Sequence, residues 1–365
     1  MRKALFPALL LLALTDVLHA GTITRVGSLG VLGQGGTMTA LHDGRVLVVG
    51  GPPSRRIEIF DPGSGQTTVA AAVTPLPLNG HTATRLHDGS VLITGGGFTP
   101  AGGDIIGDNY GSYNSDTFDG VSSMLIAAGT LHSQRMSHTA TLLADGRVLV
   151  TGGENIRVAG FYWRAVFETA EIFDPATRTF VRIRSMTERR ASHSATRLKD
   201  GRVLIAGGSV GDAYSGIMKL ATLEIFDPQT ETFTATGSMQ AGRSHHSATL
   251  LSDGRVLILG GGNPTAEVFD PATNAVQTVP AIEARFGTGV FVLADGRVLV
   301  TGGSEPPTIF DPALNGAVET LSGDRRFDAR IVKLDDGSMF FVEQNSNTVF
   351  RYRPTPAKPR RRAVR

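Results

Sequence analysis

The chain has 365 residues and a net charge of +2, which is too small to indicate nucleic acid as a partner. Hydrophobic residues make up 41%, enough for a sizeable core, and the 45 glycines recur largely at fixed offsets, which indicates many turns rather than collagen or disorder. The absence of cysteine excludes disulfides, thiol catalysis and cysteine-ligated metal sites.

The N-terminal segment has the pattern of a secretory signal peptide. Arg2 and Lys3 precede an apolar run over residues 4–14, and Ala20 is a suitable last residue before cleavage. The run is about half as long as a membrane span requires, and no later stretch approaches that length. We therefore predict that residues 1–20 are a signal peptide, that the protein has no membrane span, and that it is secreted or periplasmic.

Seven copies of one pattern follow, each built on an Asp-Gly pair, with glycine spacings of 45, 57, 55, 53, 42 and 41 residues. In the third copy, segments 137–143, 147–151, 170–173 and 179–183 have strand composition. Asp145-Gly146 between the first two is predicted to form a two-residue type I′ hairpin turn. Each copy is thus a predicted four-stranded antiparallel meander, with strands A to D in chain order. Seven such sheets packed around an axis form a β-propeller.

The seventh copy lacks a segment for its own strand D. Residues 22–29 resemble the D segments 179–186 and 232–239, so the N-terminal strand is predicted to close the last blade. Closure removes two open sheet edges. We therefore predict one all-β domain, a seven-bladed propeller over residues 21–353. The Pro- and Arg-rich residues 354–365 are predicted to be a basic disordered tail.

The repeated motifs resemble those of kelch proteins. The copies share Arg-x-Ser-His-x-Ala-Thr, Asp-Gly-Arg-Val-Leu, a double glycine, Glu-Ile-Phe-Asp-Pro and Thr-Phe. The double glycine is the most diagnostic element; it is present in six copies, and Glu343-Gln344 replaces it in the seventh. The chain thus resembles secreted, bacterial-type kelch propellers of the galactose oxidase-like superfamily. The resemblance implies the fold and leaves the function open, because kelch proteins range from binding modules to enzymes.

Two enzymes of this superfamily bear on the function. Galactose oxidase requires a tyrosine cross-linked to cysteine, so the absence of cysteine excludes its chemistry here. Sialic acid mutarotases are periplasmic kelch propellers of about this size, and a carbohydrate isomerase of that kind remains the alternative function. The sequence shows no nucleophile elbow and no phosphate-binding loop. We therefore expect a binding protein rather than an enzyme, with no catalytic residue, metal or cofactor.

The candidate binding site is the mouth formed by the B–C and D–A connections. Counted from the double glycine to the residue aligned with the strand-C glutamate, the B–C connections have 15–19 residues in copies two to four and 3–6 elsewhere. Variable loops on a rigid scaffold often carry function. A protein partner would need a larger exposed apolar patch on these loops than a sugar. The long loops also hold aromatic residues suited to sugars or proteins: Tyr110, Tyr162, Trp163 and Tyr214.

Arginines preceding strand A in five adjacent copies are predicted to point at the same mouth. Such a partial ring suits a carboxylate, sulfate or phosphate. The alternative is internal pairing with the glutamates that begin strand C near this face, Glu171, Glu224 and Glu267. The arginines are Arg135, Arg190, Arg243, Arg285 and Arg326.

Histidines recur three residues after the arginine position, at His81, His138, His193 and His246. They are predicted to be packed structural residues, because side chains arranged around a ring do not converge on one point as metal ligands must. The sequence therefore predicts a monomeric binding propeller. Its expected partner is an unidentified glycan, anionic ligand or protein, and not nucleic acid.

Overall fold

The computed structural model describes residues 16–18, 21–30, 35–51, 54–97, 106–109, 111–159, 162–212, 216–263, 265–279, 289–302, 306–312, 316–320, 327–343 and 346–354. Every regular element in these ranges is a β-strand, and the strands form seven blades of a propeller. A helix with the length and hydropathy to cross a bilayer is not found in the part of the chain that the structure describes.

The strands follow the chain through the blades in order. The chain begins with β1 (Asp16–Leu18) and β2 (Gly21–Ser28). Blade 1 has β3 (Thr37–Ala40), β4 (Val46–Val49), β5 (Arg56–Asp61) and β6 (Gln66–Val73). The second repeat has β7 (Thr82–Arg85), β8 (Val91–Thr94), β9 (Ile106–Asn109), β10 (Ser112–Asp119) and β11 (Met124–Arg135); all but β9 form blade 2. The third has β12 (Thr139–Leu142), β13 (Val148–Thr151), β14 (Glu154–Ala159), β15 (Tyr162–Val166), β16 (Ala170–Asp174) and β17 (Thr179–Arg182); all but β14 and β15 form blade 3.

The remaining repeats complete the ring. The fourth has β18 (Ser194–Arg197), β19 (Val203–Ala206), β20 (Ser209–Asp212), β21 (Gly216–Lys219), β22 (Thr222–Asp227) and β23 (Thr232–Ser238); all but β20 and β21 form blade 4. Blade 5 has β24 (His246–Leu250), β25 (Val256–Gly260), β26 (Ala266–Asp270) and β27 (Ala275–Val279). Blade 6 has β28 (Gly289–Val292), β29 (Val298–Thr301), β30 (Thr308–Asp311) and β31 (Gly316–Thr320). Blade 7 has β32 (Phe327–Lys333), β33 (Met339–Glu343) and β34 (Thr348–Pro354), followed by β2.

The hydrophobic core is divided among the interfaces between neighbouring blades. Successive side chains of a strand point to opposite faces of its sheet. In β13, Val150 therefore packs with Leu92 of blade 2, whereas Leu149 packs with Val203 of blade 4. All four residues of β13 are buried. Each blade thus needs both neighbours to cover its faces, which is the physical reason for closing the ring.

The N-terminal strand closes the ring as predicted. β2 pairs antiparallel with β34, from Gly21 opposite Pro354 to Ser28 opposite Thr348. Ile23 is 4% exposed and lies in a core cluster with residues of blades 6 and 7. β1 adds an outer strand against β2. Cleavage after Ala20 would remove β1 and leave β2 in place, and the signal peptide itself stays a prediction.

The hairpin turn between strands A and B differs from the predicted type. Leu143 N–H donates to Arg147 O (2.8 Å), and Gly146 N–H donates to Leu143 O (3.3 Å). Gly146 has a φ of 90°, whereas the φ of Asp145 is not positive. This is a three-residue loop, a type I turn followed by a left-handed glycine. The predicted two-residue type I′ turn is therefore wrong, although the glycine is required in both.

The double glycine allows two blades to approach closely. A Cβ atom on Gly152 would lie 2.4 Å from the carbonyl oxygen of Arg190 and 2.8 Å from Cε1 of His193, both from the next repeat. A Cβ atom on Gly153 would lie 2.8 Å from Cβ of His138 in its own blade. The pair is thus held between two histidines, and both glycines have positive φ. Close inter-blade packing explains why the motif recurs.

Candidate functional site

The mouth of the propeller contains a cavity of about 640 Å³ on the face of the D–A connections. Blades 1 to 5 contribute its lining, which is polar and consists of hydroxyl, amide and imidazole groups with some backbone. The lining residues are Gly35, Asn79, Gly80, His81, Ser137, His138, Ser192, His193, His245 and His246.

The rim of this cavity is an arc of backbone hydrogen bonds. Gly80, Ser137, Ser192 and His245 occupy equivalent positions, and all have positive φ, between 53° and 65°. Ser137 N–H donates to Gly80 O (2.8 Å), Ser192 N–H to Ser137 O (2.8 Å), and His245 N–H to Ser192 O (2.9 Å). The arc joins blades 2 to 5 directly. The arc forms a polar edge of the cavity, and Ser137 and Ser192 on this arc line the cavity.

The repeated histidines are packed between blades. Nε2 of His138 lies 3.1 Å from Oγ1 of Thr82, and Nε2 of His193 lies 3.0 Å from Oγ1 of Thr139. Burial lowers the pKa of His81 to about 4. Burial, together with the nearby guanidinium groups of Arg135 and Arg190, holds the pKa values of His138 and His193 well below their usual range. These imidazoles are neutral at pH 7 and join neighbouring blades.

Three of the five predicted arginines are described, and all three are internal. Arg135, Arg190 and Arg243 are 0% exposed. The Nη2 atom of each pairs with a strand-C glutamate, at 2.7 Å for Arg135–Glu171, 2.5 Å for Arg190–Glu224 and 2.8 Å for Arg243–Glu267. Arg285 and Arg326 lie outside the described residues.

Further hydrogen bonds of the arginine Nη1 atom and of the second carboxylate oxygen join consecutive repeats. Nη1 of Arg190 donates to the carbonyl oxygen of Gly207, the first residue of a double glycine, at 2.7 Å. The second carboxylate oxygen of Glu224 accepts the Thr187 N–H at 2.7 Å. The D–A connection is thereby fastened to strand C of the blade it enters. This is the internal pairing weighed from the sequence, and it leaves these guanidinium groups without access to a ligand.

The long B–C connections form sheets rather than loops. β15, β14 and β9 make one three-stranded sheet, and β20 and β21 make a hairpin beside it. We call these five strands the overhang. Tyr162 and Trp163 lie in β15, whereas Tyr110 and Tyr214 lie outside the described residues.

A buried arginine joins the two parts of the overhang. Arg164 is ion-paired with Glu154, and both side chains are about a tenth exposed or less. Its Nη1 donates to Gly211 O (2.9 Å) and its Nη2 to Ser209 Oγ (3.1 Å), both on β20. In the described part of the overhang, an ion pair and hydrogen bonds of Arg164 therefore hold the three-stranded sheet against the hairpin. The sequence analysis did not predict this role, because Arg164 lies outside the repeated arginine position and its partners are distant in sequence.

The outer strand of the overhang exposes two large apolar side chains. Ile217 is 64% exposed and Met218 is 61% exposed, both on β21. Among the described strands, β21 pairs only with β20, so its second edge has no strand partner there. Nζ of Lys219 donates to Gly261 O of blade 5 at 2.8 Å, which places this strand beside the mouth. Sequence reasoning considered only the loop aromatics and missed this pair.

Comparison with known proteins finds kelch-repeat relatives at low identity. Spermatocyte protein spe-26 of Caenorhabditis elegans is 30% identical over 129 residues, which are 35% of this chain and 21% of that protein. An F-box/kelch-repeat protein of Arabidopsis thaliana is 26% identical over 155 residues, 39% of this chain and 32% of that protein. Human Kelch-like protein 38 is 28% identical over 99 residues, 27% of this chain and 16% of that protein.

The chain thus spans about a third or less of the length of each of these relatives. No family model matches it. The kelch-repeat relatives and the seven-bladed fold together support a kelch-type propeller.

Proposed function

We propose that this kelch-type propeller binds a protein partner at the mouth, with the overhang as one wall of the binding surface. The observation that carries the proposal is the pair Ile217 and Met218, which are more than half exposed on a strand beside the mouth. Because successive side chains of a strand point to opposite faces, each face of β21 carries one large apolar group, and covering both by a partner would be favourable. The kelch-repeat relatives support the same class of function.

The geometry favours a partner that combines apolar and backbone contacts. β21 offers apolar side chains and, in the described region, a strand edge with no second strand, although Gly242 packs against Lys219 at its end. An extended segment adding to such an edge gains main-chain hydrogen bonds, while its side chains provide specificity. The hydroxyl groups and backbone of the arc offer polar contacts next to it. A central apolar anchor with a polar rim is the usual anatomy of a protein interface.

A glycan is the second ligand that we consider, because the cavity of about 640 Å³ is lined by hydroxyl and imidazole groups. Its volume is in the range of small-molecule sites. The burial of Arg135, Arg190 and Arg243 removes the main support for an anionic ligand bound by an arginine ring. The comparisons do not favour a carbohydrate isomerase.

The binding proposal is tested by substituting the exposed pair. The Ile217→Ser/Met218→Ser protein is expected to lose at least about ten-fold in affinity for the partner, since each buried aliphatic side chain contributes about 1–3 kcal/mol. The matched control is Val69→Ser/Val181→Ser, because these valines are 57% and 58% exposed on the outer strands β6 and β17. Immobilised wild-type, variant and control proteins are compared by quantitative mass spectrometry of retained proteins. Each candidate partner is then purified and titrated.

The expected result is a partner retained by the wild-type and control proteins and lost by the overhang variant. Retention that is equal for all three would contradict a site on β21. A glycan array run on the same proteins tests the second ligand. Saturable binding of a glycan that is unchanged in the overhang variant would indicate a site in the cavity at the mouth instead.

We also propose that the partner is met outside the cytoplasm. The basic and apolar N-terminal segment and Ala20 support export, and β2 begins directly after that residue. Protein purified from its native source is expected to begin at Gly21 when its intact mass and N-terminal peptide are measured. A mass that includes residues 1–20 would contradict export by this signal.

A further inference from the structure

The turn aspartates on the opposite face of the propeller form a second repeating pattern. Each A–B turn contains an aspartate directly before its glycine, and in five blades the arginine two residues later binds the Oδ2 atom of this aspartate through Nε or Nη2, at 2.6–2.8 Å. These pairs are Asp43–Arg45, Asp145–Arg147, Asp200–Arg202, Asp253–Arg255 and Asp295–Arg297. Blade 7 has Ser338 at this position, and Arg351 of β34 supplies the guanidinium to Asp336 at 2.6 Å.

Blade 2 departs from this pattern. Ser90 stands where five blades have arginine, and Oδ1 of Asp88 accepts hydrogen bonds from Ser90 N–H (2.9 Å) and Oγ–H (2.7 Å). Within the described residues, no guanidinium group contacts Asp88. It is therefore the one A–B turn aspartate, of the seven described, that lacks a cationic partner.

The missing arginine coincides with a cavity. In blades 1 and 3 this arginine also reaches the C–D turn of the next blade, where Arg45 donates to Gly120 O and Arg147 to Glu231 Oε1, each at 2.7 Å. Between blades 2 and 3 the corresponding space is a cavity of about 410 Å³, which extends to His42 and Asp43 in the A–B turn of blade 1. Asp88 and Ser90 line one side of it, and Pro175 lies in the C–D turn across from them.

The other walls of this cavity define what fits. Leu41 and Leu86 form a buried apolar floor, and Ile126 adds an apolar wall. Val121 at the rim is 95% exposed, the highest value among the exposed large hydrophobic residues described. Arg178 also lines the cavity, at the position that Glu231 occupies in the next blade. The walls thus combine apolar surface, a cation able to donate to a carbonyl group, and two carboxylates without a cationic partner among the described residues. These are Asp88 and, in the C–D turn of blade 2, Asp119, which accepts from Val121 N–H and Ser122 Oγ–H.

We propose that this cavity binds an arginine side chain of a partner polypeptide. The guanidinium would take the place of the missing blade-2 arginine on Asp88, the peptide carbonyl would accept from Arg178, and a neighbouring apolar residue would cover Val121. Guanidinium is favoured over ammonium because its planar fork matches a carboxylate. In addition, the six other A–B turn aspartates described are all paired with a guanidinium group. The site lies on the face opposite the mouth, so this proposal does not depend on the function proposed above.

The test uses the full chain and two small probes, N-acetyl-leucyl-arginine amide and N-acetyl-leucyl-lysine amide, titrated by NMR chemical shift. Saturable binding of the arginine probe is expected, with weaker binding of the lysine probe. Asp88→Asn is expected to weaken the arginine probe about five-fold, the factor for one exposed ion pair of about 1 kcal/mol. Asp200→Asn is the matched control, because that aspartate already holds Arg202, and it is expected to leave the affinity unchanged.

A second variant fills the cavity. Ser90→Arg restores the motif of the other blades, so it is expected to raise the melting temperature and to abolish probe binding. Equal affinities for the two probes, or unchanged binding to Asp88→Asn or Ser90→Arg, would overturn the proposal. Probe binding that is absent in the wild-type protein and appears when Arg360, Arg361 and Arg362 are replaced by alanine would also overturn the proposal, because the occupant would then be this chain's own basic segment.

Discussion

Replacing Arg190 by methionine is expected to lower the free energy of unfolding by about 3–5 kcal/mol, because Glu224 would remain buried without a counter-ion. Both side chains are at most 1% exposed. Methionine keeps much of the packing volume, so the loss reports the removed charge and hydrogen bonds. These include the bond to Gly207 O, which ties the D–A connection to the double glycine. Urea unfolding at pH 7, followed by circular dichroism, measures the change.

The control for this effect is a surface pair of the same chemistry. Arg202→Met removes a guanidinium from Asp200, where the side chains are 36% and 49% exposed, and is expected to cost less than about 1 kcal/mol. The double variant Arg190→Met/Glu224→Met is expected to be more stable than Arg190→Met alone, since no buried charge is left. An Arg190→Met protein as stable as the wild type would contradict the structural role and favour the ligand-binding ring predicted from the sequence.

Acidification from pH 7 to pH 5 is expected to destabilise the fold strongly through the buried histidines. His81, His138 and His193 are 5–6% exposed and neutral in the folded protein, and burial lowers the pKa of His81 to about 4. Histidine in the unfolded chain has a pKa of about 6.5. Below that pH the unfolded state binds protons that the folded state excludes. Stability is therefore fully present above pH 6.5 and is lost as the pH falls toward the folded values.

The size of this effect follows from the number of histidines. Burial also lowers the pKa of His246 to about 3. Each of the four histidines contributes up to about 1.4 kcal/mol per pH unit, so together they contribute up to about 5–6 kcal/mol per pH unit below pH 6.5. Unfolding free energies at pH 7.5, 6.5, 5.5 and 4.5 measure the slope. His193→Gln is expected to reduce the slope by about a quarter, and His87→Gln, at an exposed position, is the control variant. A wild-type slope near zero between pH 6.5 and pH 5 would rule out neutral buried imidazoles.

The blades were predictable from the sequence because their signals are local and repeated. Strand composition and the Asp-Gly pair placed the four strands of the third copy within about two residues of β12, β13, β16 and β17. Closure by β2 was predictable for the same reason, since residues 22–29 repeat the D-strand pattern. The turn type was not, because loop length depends on which residues pair across it. Asp145-Gly146 indicates only where a positive φ is needed, and the Leu143–Arg147 bond decides the length.

The candidate sites were less predictable because their geometry depends on distant partners. Whether Arg135 faces solvent or the interior is decided by Glu171, which is 36 residues away. An aliphatic pair such as Ile217-Met218 is ordinary in a strand, and it is exposed because no element in the described part of the chain covers it. The replacement of the repeated arginine by Ser90 could indicate the cavity beside Asp88. Yet Ser338 is the same substitution, and Arg351 fills that place from another strand.

The pairing of β2 with β34 has a mechanical consequence. Gly21 and Pro354 lie opposite each other at one end of the same ladder, so a force pulling these two residues apart acts across the strands rather than along them. The hydrogen bonds of the ladder would then break one after another instead of sharing the load. Unfolding under tension applied there would begin at this seam, at low force, and would release blade 7 before any other blade.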